Sequence, residues 1–240
     1  MQKYKIVAFD LDGTLTQHRS KLEKPNTLVL DELSKKYKLL MMGAGQCRRI
    51  YGQMNNYPID IVGNYGMQLC VFDAEKNDLA TVRDEKLPCD RASVSNRVTL
   101  LREKYGYENF AGDNVEFHES GCVTFPLLGT KAAIEDKLAF DPTREKRRAI
   151  YDEVCAMFPE YTVFVGGSSS FDMAPKPYDK YYALDLYCRE NGLAHSEVCY
   201  VGDDYGLGGN DETIYKSDIR FFRVDDYRRL RCYLKELLES

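Results

Sequence analysis

Three carboxylates and a lysine, Asp10, Asp12, Asp203 and Lys180, each fall where the sequence pattern predicts the end of a parallel strand. Open α/β sheets bind their ligands along that edge. Asp10 and Asp12 form a D-x-D unit directly after a strand, and Gly13 follows, so both carboxylates can turn toward one site while a tight turn presents its amides to an anion. Two carboxylates and a backbone carbonyl suit Mg²⁺, a hard ion whose shell is completed by waters and a phosphate oxygen. Such an ion shields a carboxylate from a phosphate, which lets one anion attack another. Lys180 adds a second compact positive charge for a transferring phosphoryl group. The weaker alternative is that Lys180 simply opens a helix, with Lys176 serving in its place.

The elements that must position these groups are legible as alternating patterns. KIVAFD is a compact apolar run ending in Asp10 and the turn DGT, which predicts a buried strand. Residues 26–37 carry Leu28, Leu30, Leu33 and Tyr37 at helical spacing, and KLLMMGAG follows as a second buried strand ending in glycines. That is a βαβ signature and hence a parallel sheet. Ile59 to Val62 and Met67 to Phe72 flank GNYG as two further strands.

The middle of the chain changes character. A helix around 92–104, strand-like VEFHESGCVTFPLL, a helix around 143–158 and strand-like TVFVGG and SSFDMA predict an α+β insert. After Pro177 the alternation returns, with a helix over 179–190, the strand VCYVGDD, a glycine-rich loop, a short helix, the strand IRFFRV and a final helix through Leu237. The expected organisation is a discontinuous α/β core, 1–81 plus 179–240, with an α+β cap at 82–178.

Composition narrows the class. The 240 residues are 44% apolar, enough for one large core or two modest ones. No leader-like apolar run opens the chain and no stretch approaches the 18 apolar residues of a membrane span, so the expectation is a soluble, cytoplasmic protein. The net charge of −5 disfavours nucleic acid or an anionic membrane as partner. Eight cysteines lie scattered without a C-x-x-C pair, which reads as reduced thiols used as small apolar residues. The basic run Arg144 to Arg148 contains Glu145 and reads as a solvated helix face.

FDLDGT near the start and YVGDD near the end, with a lysine between them, resemble the haloacid dehalogenase (HAD) superfamily of phosphotransferases. The resemblance runs the whole length and implies a Rossmannoid core with an inserted cap of the C2B type. It makes Asp10 a nucleophile that becomes an aspartyl-phosphate and Asp12 the general acid/base. It makes Asp203 a Mg²⁺ ligand together with Asp10 and the carbonyl of Asp12, and it leaves Asp204, Asn210 and Asp211 as outer or water-mediated groups. Within that superfamily the chain looks most like the eukaryotic-type phosphomannomutases. GGSSSFDMAPKPYDKYYAL, GDDYGLGGNDETIY and IVGNYGMQ carry that likeness, and it puts Ser170 and Asp172 on sugar-contacting positions and Lys180 on the active-site lysine. A solvated strand face explains Ser170 and Asp172 equally well. The likeness also implies a homodimer through the cap.

Two departures bear on the reaction. The mutases hold a distal phosphate with cap arginines, whose planar fork matches phosphate oxygens. FHESGCVTFPLLGTKAAIEDK contains no arginine, and Thr130, Lys137 and His118 or Glu119 stand at those positions. The superfamily's second motif ends a strand with Ser or Thr, whereas this chain offers Gly43, Ala44, Gly45 and Gln46, whose backbone amides would have to bind phosphate instead. The expected function is therefore a Mg²⁺-dependent phosphomonoester hydrolase acting on a small phosphorylated metabolite such as a sugar phosphate. A phosphohexomutase is the alternative, and a non-catalytic phosphosugar-binding protein is a third reading.

Overall fold

The computed structural model describes residues 4–240. In chain order its elements are β1 (Ile6–Phe9), α1 (Lys24–Leu33), β2 (Lys38–Met42), α2 (Cys47–Gln53), β3 (Asp60–Gly63), β4 (Gln68–Asp73), β5 (Asp78–Asp84), α3 (Arg91–Tyr105), β6 (Glu116–Phe117), β7 (Val123–Pro126), α4 (Ile134–Phe140), α5 (Glu145–Arg148), α6 (Tyr151–Met157), β8 (Tyr161–Phe164), β9 (Ser170–Pro175), α7 (Lys180–Glu190), β10 (Val198–Gly202), α8 (Glu212–Tyr215), β11 (Arg220–Arg223), α9 (Leu230–Tyr233) and α10 (Lys235–Glu239). They form two compact units. The first runs up to Glu85 and resumes at Asp179–Tyr205 and Asp211–Ser240, and the second comprises Lys86–Tyr178 with Gly206–Asn210.

The first unit is built on a sheet of order β11-β10-β1-β2-β3-β4-β5. From β11 to β3 neighbouring strands are parallel, and β4 and β5 add an antiparallel edge. β1 lies between β10 and β2, with Ile6 opposite both Val198 and Lys38. Its IVAF sequence is buried throughout, as a strand covered on both faces requires. Val7 and Phe9 pack into one apolar cluster with Leu30, Leu33 and Ile50, while Ile6 and Ala8 join another with Leu184 and Tyr200. Each fully buried side chain of this size contributes about 1.5–3 kcal/mol. This rigid centre is what aims the residue after Phe9.

The structure adjusts several sequence expectations. Residues 82–85 were grouped with the insert, yet β5 extends to Asp84 and pairs with β4 in the first sheet. α1 ends at Leu33, where Ser34, Lys36 and Tyr37 close turns back onto Leu30 and Leu33. The predicted final helix through Leu237 is broken into a 3-10 turn, α9 and α10.

The second unit carries an antiparallel sheet of order β6-β7-β9-β8. Val123, Phe125, Phe171 and Met173 alternate onto its buried face and meet Val94, Val98 and Leu101 of α3. Asp90 starts α3 by accepting from the Ser93 amide, and Gly106, left-handed at φ 72°, ends it. The helix expected over 143–158 is two pieces, α5 and α6, and α4 precedes them. The reading of Arg144 to Arg148 as a solvated face is corrected at Arg147, which is 1% exposed. Its guanidinium donates to Asp141 Oδ2 at 2.9 Å and to the carbonyls of Gly166, Gly167 and Ser170. Asp141 in turn accepts the amides of Lys146 and Arg147 and so starts α5.

All eight cysteines are free thiols, and Cys47, Cys70, Cys122, Cys188 and Cys199 are buried, consistent with their use as small apolar groups. Among the described residues no helix is long and apolar enough to cross a membrane.

Candidate active site

The end of β1 delivers Asp10, whose amide donates to the Val201 carbonyl of β10 at 2.9 Å and whose residue is 5% exposed. β10 delivers Asp203 beside it. The chain between them turns at Gly13, with φ +99°, and a Cβ there would lie 2.3 Å from Asp203 Oδ2. Only glycine permits both that backbone and that approach. Thr14 Oγ1 then donates to Asp203 Oδ1 at 2.9 Å.

Lys180 does not end a strand. It is the first residue of α7, after Asp179, whose side chain caps the helix by accepting from the Tyr182 amide. It is nevertheless 1% exposed, and its Nζ donates to Asp10 Oδ1 at 2.5 Å and to Asp211 Oδ1 at 2.7 Å. Asp211, expected among the outer groups, is fully buried and stands in the inner ring. Tyr200 donates to its Oδ1 at 2.7 Å and the Asp204 amide to its Oδ2 at 3.0 Å. Asp204 thus contributes through its backbone. Asn210 belongs to the 206–210 segment that groups with the second unit.

Ligand oxygens of Asp10, Asp203 and Asp211 all lie within 4.8 Å of one another. One lysine faces three carboxylates there, and the electrostatics record the imbalance. Burial pushes Asp10 well above the usual carboxylate range; Lys180 pulls it back, and Asp211 and Asp203 add to the rise. Burial, and then the charge of Asp211, raise Asp203 to about 7. For Lys180 burial works downward, but Asp10 and Asp211 override it and raise its pKa. Three hard oxygen donors with uncompensated charge fit Mg²⁺, and Asp10 and Asp203 are the two whose carboxylates are least committed to other partners. Beside Asp203 the first unit has an open groove of about 610 Å³, lined by Gly13, Gln17, His18, Asp225 and Tyr227 among others.

Asp12 faces a different environment. Its Oδ1 accepts the Arg19 amide at 2.7 Å and Gln53 Nε2 at 2.6 Å, and His18 Nδ1 lies 3.9 Å from its Oδ2. Gly43, Ala44 and Gly45 follow β2. The Gly43 amide is spent on the Val62 carbonyl at 2.9 Å and so is not available to an anion. In the second unit, Ser170 and Asp172 alternate with the buried Phe171 and Met173, so both stand on the outer face of β9. Asp172 Oδ1 accepts from Thr124 Oγ1 at 2.9 Å, and His118 Nε2 lies 3.1 Å from the same hydroxyl.

A family model for eukaryotic phosphomannomutase matches residues 109–237, more than half of the chain. The chain belongs to the eukaryotic phosphomannomutase family. It is 25% identical over 258 residues to the phosphomannomutase of Encephalitozoon cuniculi (strain GB-M1), covering 97% of this chain and 94% of that relative. To the phosphomannomutase of Solanum lycopersicum it is 28% identical over 232 residues, covering 89% and 85%. Among solved structures it resembles an IMP-bound, N-terminally truncated IMP-nucleotidase of Plasmodium falciparum, with TM-score 0.68 and 14% identity over 99% of this chain and 69% of that one. It also resembles BT1666 of Bacteroides thetaiotaomicron, a phosphatase of the HAD superfamily, with TM-score 0.63 and 16% identity over 98% and 96%. At such identities the structural likeness carries the fold, and the fold is that of the HAD superfamily.

Sequence reasoning missed three groups that this phosphomannomutase-family chain places at the site. Thr14 was within reach, because it is part of the DGT motif that already marked Asp10. Tyr200 sits on β10, three residues before Asp203, yet a tyrosine in a buried strand reads as core. Gln53 gave no signal, since nothing in the chain order connects it to Asp12.

Proposed function

We propose that the chain is a Mg²⁺-dependent phosphotransferase acting on hexose phosphates through an aspartyl-phosphate on Asp10, in the manner of a mutase. The observation that carries the proposal is the ring of Asp10, Asp203 and Asp211 around Lys180, in a chain whose family is phosphomannomutase. An acidic site of that kind holds phosphate only with added positive charge, which Mg²⁺ supplies when bound. Lys180 fixes one oxygen of Asp10 and leaves the other for attack on phosphorus. Asp12, apart from the ring, hands a proton to the leaving oxygen and takes one back from the acceptor.

A hydrolase is the second reading, favoured by one observation. Thr130 and Lys137 stand where the family likeness puts phosphate-gripping arginines. Thr130 Oγ1 donates to Asp113 Oδ2 at 3.1 Å, and Lys137 Nζ donates to the Thr130 carbonyl at 3.1 Å. A hydroxyl and an ammonium engaged with their own unit are a weak grip for the far end of a bisphosphate. The test follows each hexose monophosphate isomer with Mg²⁺, with and without a hexose bisphosphate activator, in wild type and Asp10→Asn. Activator-dependent isomerisation with negligible free phosphate supports the mutase, and free phosphate from wild type alone supports the hydrolase. The absence of both, with no phosphoryl group on Asp10, overturns the phosphotransferase reading.

A further inference from the structure

The last residue of α2, Gln53, has no place in the ring of carboxylates, yet it is only 8% exposed and its side chain points at Asp12. A carboxamide can be turned either way, and here its neighbours decide. Arg49 Nη1, which can only donate, lies 3.3 Å from Gln53 Oε1. The amide nitrogen must therefore face Asp12 Oδ1 at 2.6 Å, with Thr16 Oγ1 at 3.3 Å. The backbone is anchored as well, because the Gln53 carbonyl accepts the Leu22 amide at 2.9 Å.

Arg49 owes its position to Gly45. A Cβ on Gly45 would lie 2.1 Å from Arg49 Nη2 and 2.5 Å from its Nε. Gly45 is not among the glycines of positive φ, so the backbone does not demand glycine there. The guanidinium of Arg49, the far end of a flexible side chain, fills the space that a Cβ would take. One residue lacking a side chain at the end of β2 thereby sets a chain of contacts, Gly45 to Arg49 to Gln53 to Asp12.

We propose that Gln53, oriented by Arg49, is a positioning residue that makes Asp12 a one-sided acid/base. Two donors, the Gln53 amide and the Arg19 backbone amide, occupy Oδ1, so the proton of the acid form resides on Oδ2. The inference rests on the phosphotransferase reading above. In the first half-reaction a carboxylate oxygen of Asp10 bonds to phosphorus and the bond from phosphorus to the leaving oxygen breaks. That oxygen keeps the electron pair and takes the proton from Asp12 Oδ2. In the second, the acceptor hydroxyl or water gives its proton to Asp12 and its oxygen displaces Asp10. Without Gln53 the carboxyl can turn, and its proton is no longer held toward the leaving group.

The test is a series of phosphate monoesters with Mg²⁺, from para-nitrophenyl phosphate, whose leaving group needs no proton, to alkyl phosphates, whose leaving group does. Release of the alcohol or phenol is measured. Gln53→Met is expected to lower kcat/KM for alkyl esters about 10- to 100-fold while para-nitrophenyl phosphate stays within about 3-fold, as does the melting temperature. Arg49→Met, which removes the guanidinium that orients the carboxamide, acts in the same direction with smaller effect. Gln53→Leu removes the donor without adding a charge and replaces Gln53→Met if that variant does not fold. An equal loss across the series, or none, overturns the inference and leaves the phosphotransferase reading standing. A wild type that releases no leaving group and carries no phosphoryl group overturns that reading, and the role of Gln53 with it.

Discussion

Each unit of the molecule buries a cluster of charges, and the two clusters are built on opposite principles. In the second unit Arg147 and Asp141, 1% and 2% exposed, balance one charge with one, and backbone amides and carbonyls take up the remaining donors and acceptors. Burial alone would raise the Asp141 carboxyl, but the Arg147 guanidinium and the amides override it and hold it below its usual value. Burial lowers Arg147 too, without bringing it near loss of its proton. In the first unit one lysine faces three carboxylates, and Asp10 and Asp203 are pushed upward instead. A balanced pair is complete as folded. An unbalanced one is left short of positive charge, which a divalent cation can supply.

The sharpest way to break this contrast is to remove one charge from each cluster. Asp10→Asn should abolish phosphoryl transfer, by on the order of 10⁴-fold or more, and leave the melting temperature unchanged or higher. A large drop in melting temperature would mean that the ring is structural. Arg147→Met should do the reverse, costing about 3–5 kcal/mol in denaturant unfolding because it strands Asp141 in the interior. A cost under about 1 kcal/mol would erase the distinction.

A smaller effect separates the two clusters by pH. A carboxyl whose folded pKa is raised binds more protons folded than unfolded, so its contribution to stability falls as pH rises across the window. For Asp203 that window runs from about 4 in the unfolded chain to about 7 in the folded one. Metal-free protein should therefore lose stability as pH climbs through it, and saturating Mg²⁺ should flatten the slope. Parallel melting curves with EDTA and with Mg²⁺ would show that Asp203 does not meet the ion. Asp141 acts in the opposite sense, contributing stability that is lost only as pH falls below the ordinary carboxylate range.

The smallest effect belongs to a charge cluster near the surface. His195 has Nδ1 2.7 Å from Asp218 and Nε2 3.1 Å from Asp185. Burial works against its charge, but the two carboxylates win and raise its pKa. Its contribution is present below the usual histidine value and fades as pH rises through the raised one. His195→Gln should cost under about 1 kcal/mol at acidic pH and nothing measurable at alkaline pH.

What the sequence alone determined are the features written within a few neighbouring residues. Strand periodicity, the D-x-D-G-T turn and the strand-GDD end are local, and each placed its carboxylate at a sheet edge because a buried apolar run must stop where the chain turns. Tertiary structure decided everything that depends on which distant segments meet. Lys180 opens a helix, and only the packing of α7 brings its Nζ to Asp10. Asp211 looked peripheral until β10 and α8 closed around it. Arg147 sits in a run of charges whose helical pattern promised solvent, yet the carbonyls of Gly166 and Ser170 receive it. Gln53 and Asp12 are 41 residues apart, and periodicity carries no information about a pairing made by the order of strands in a sheet.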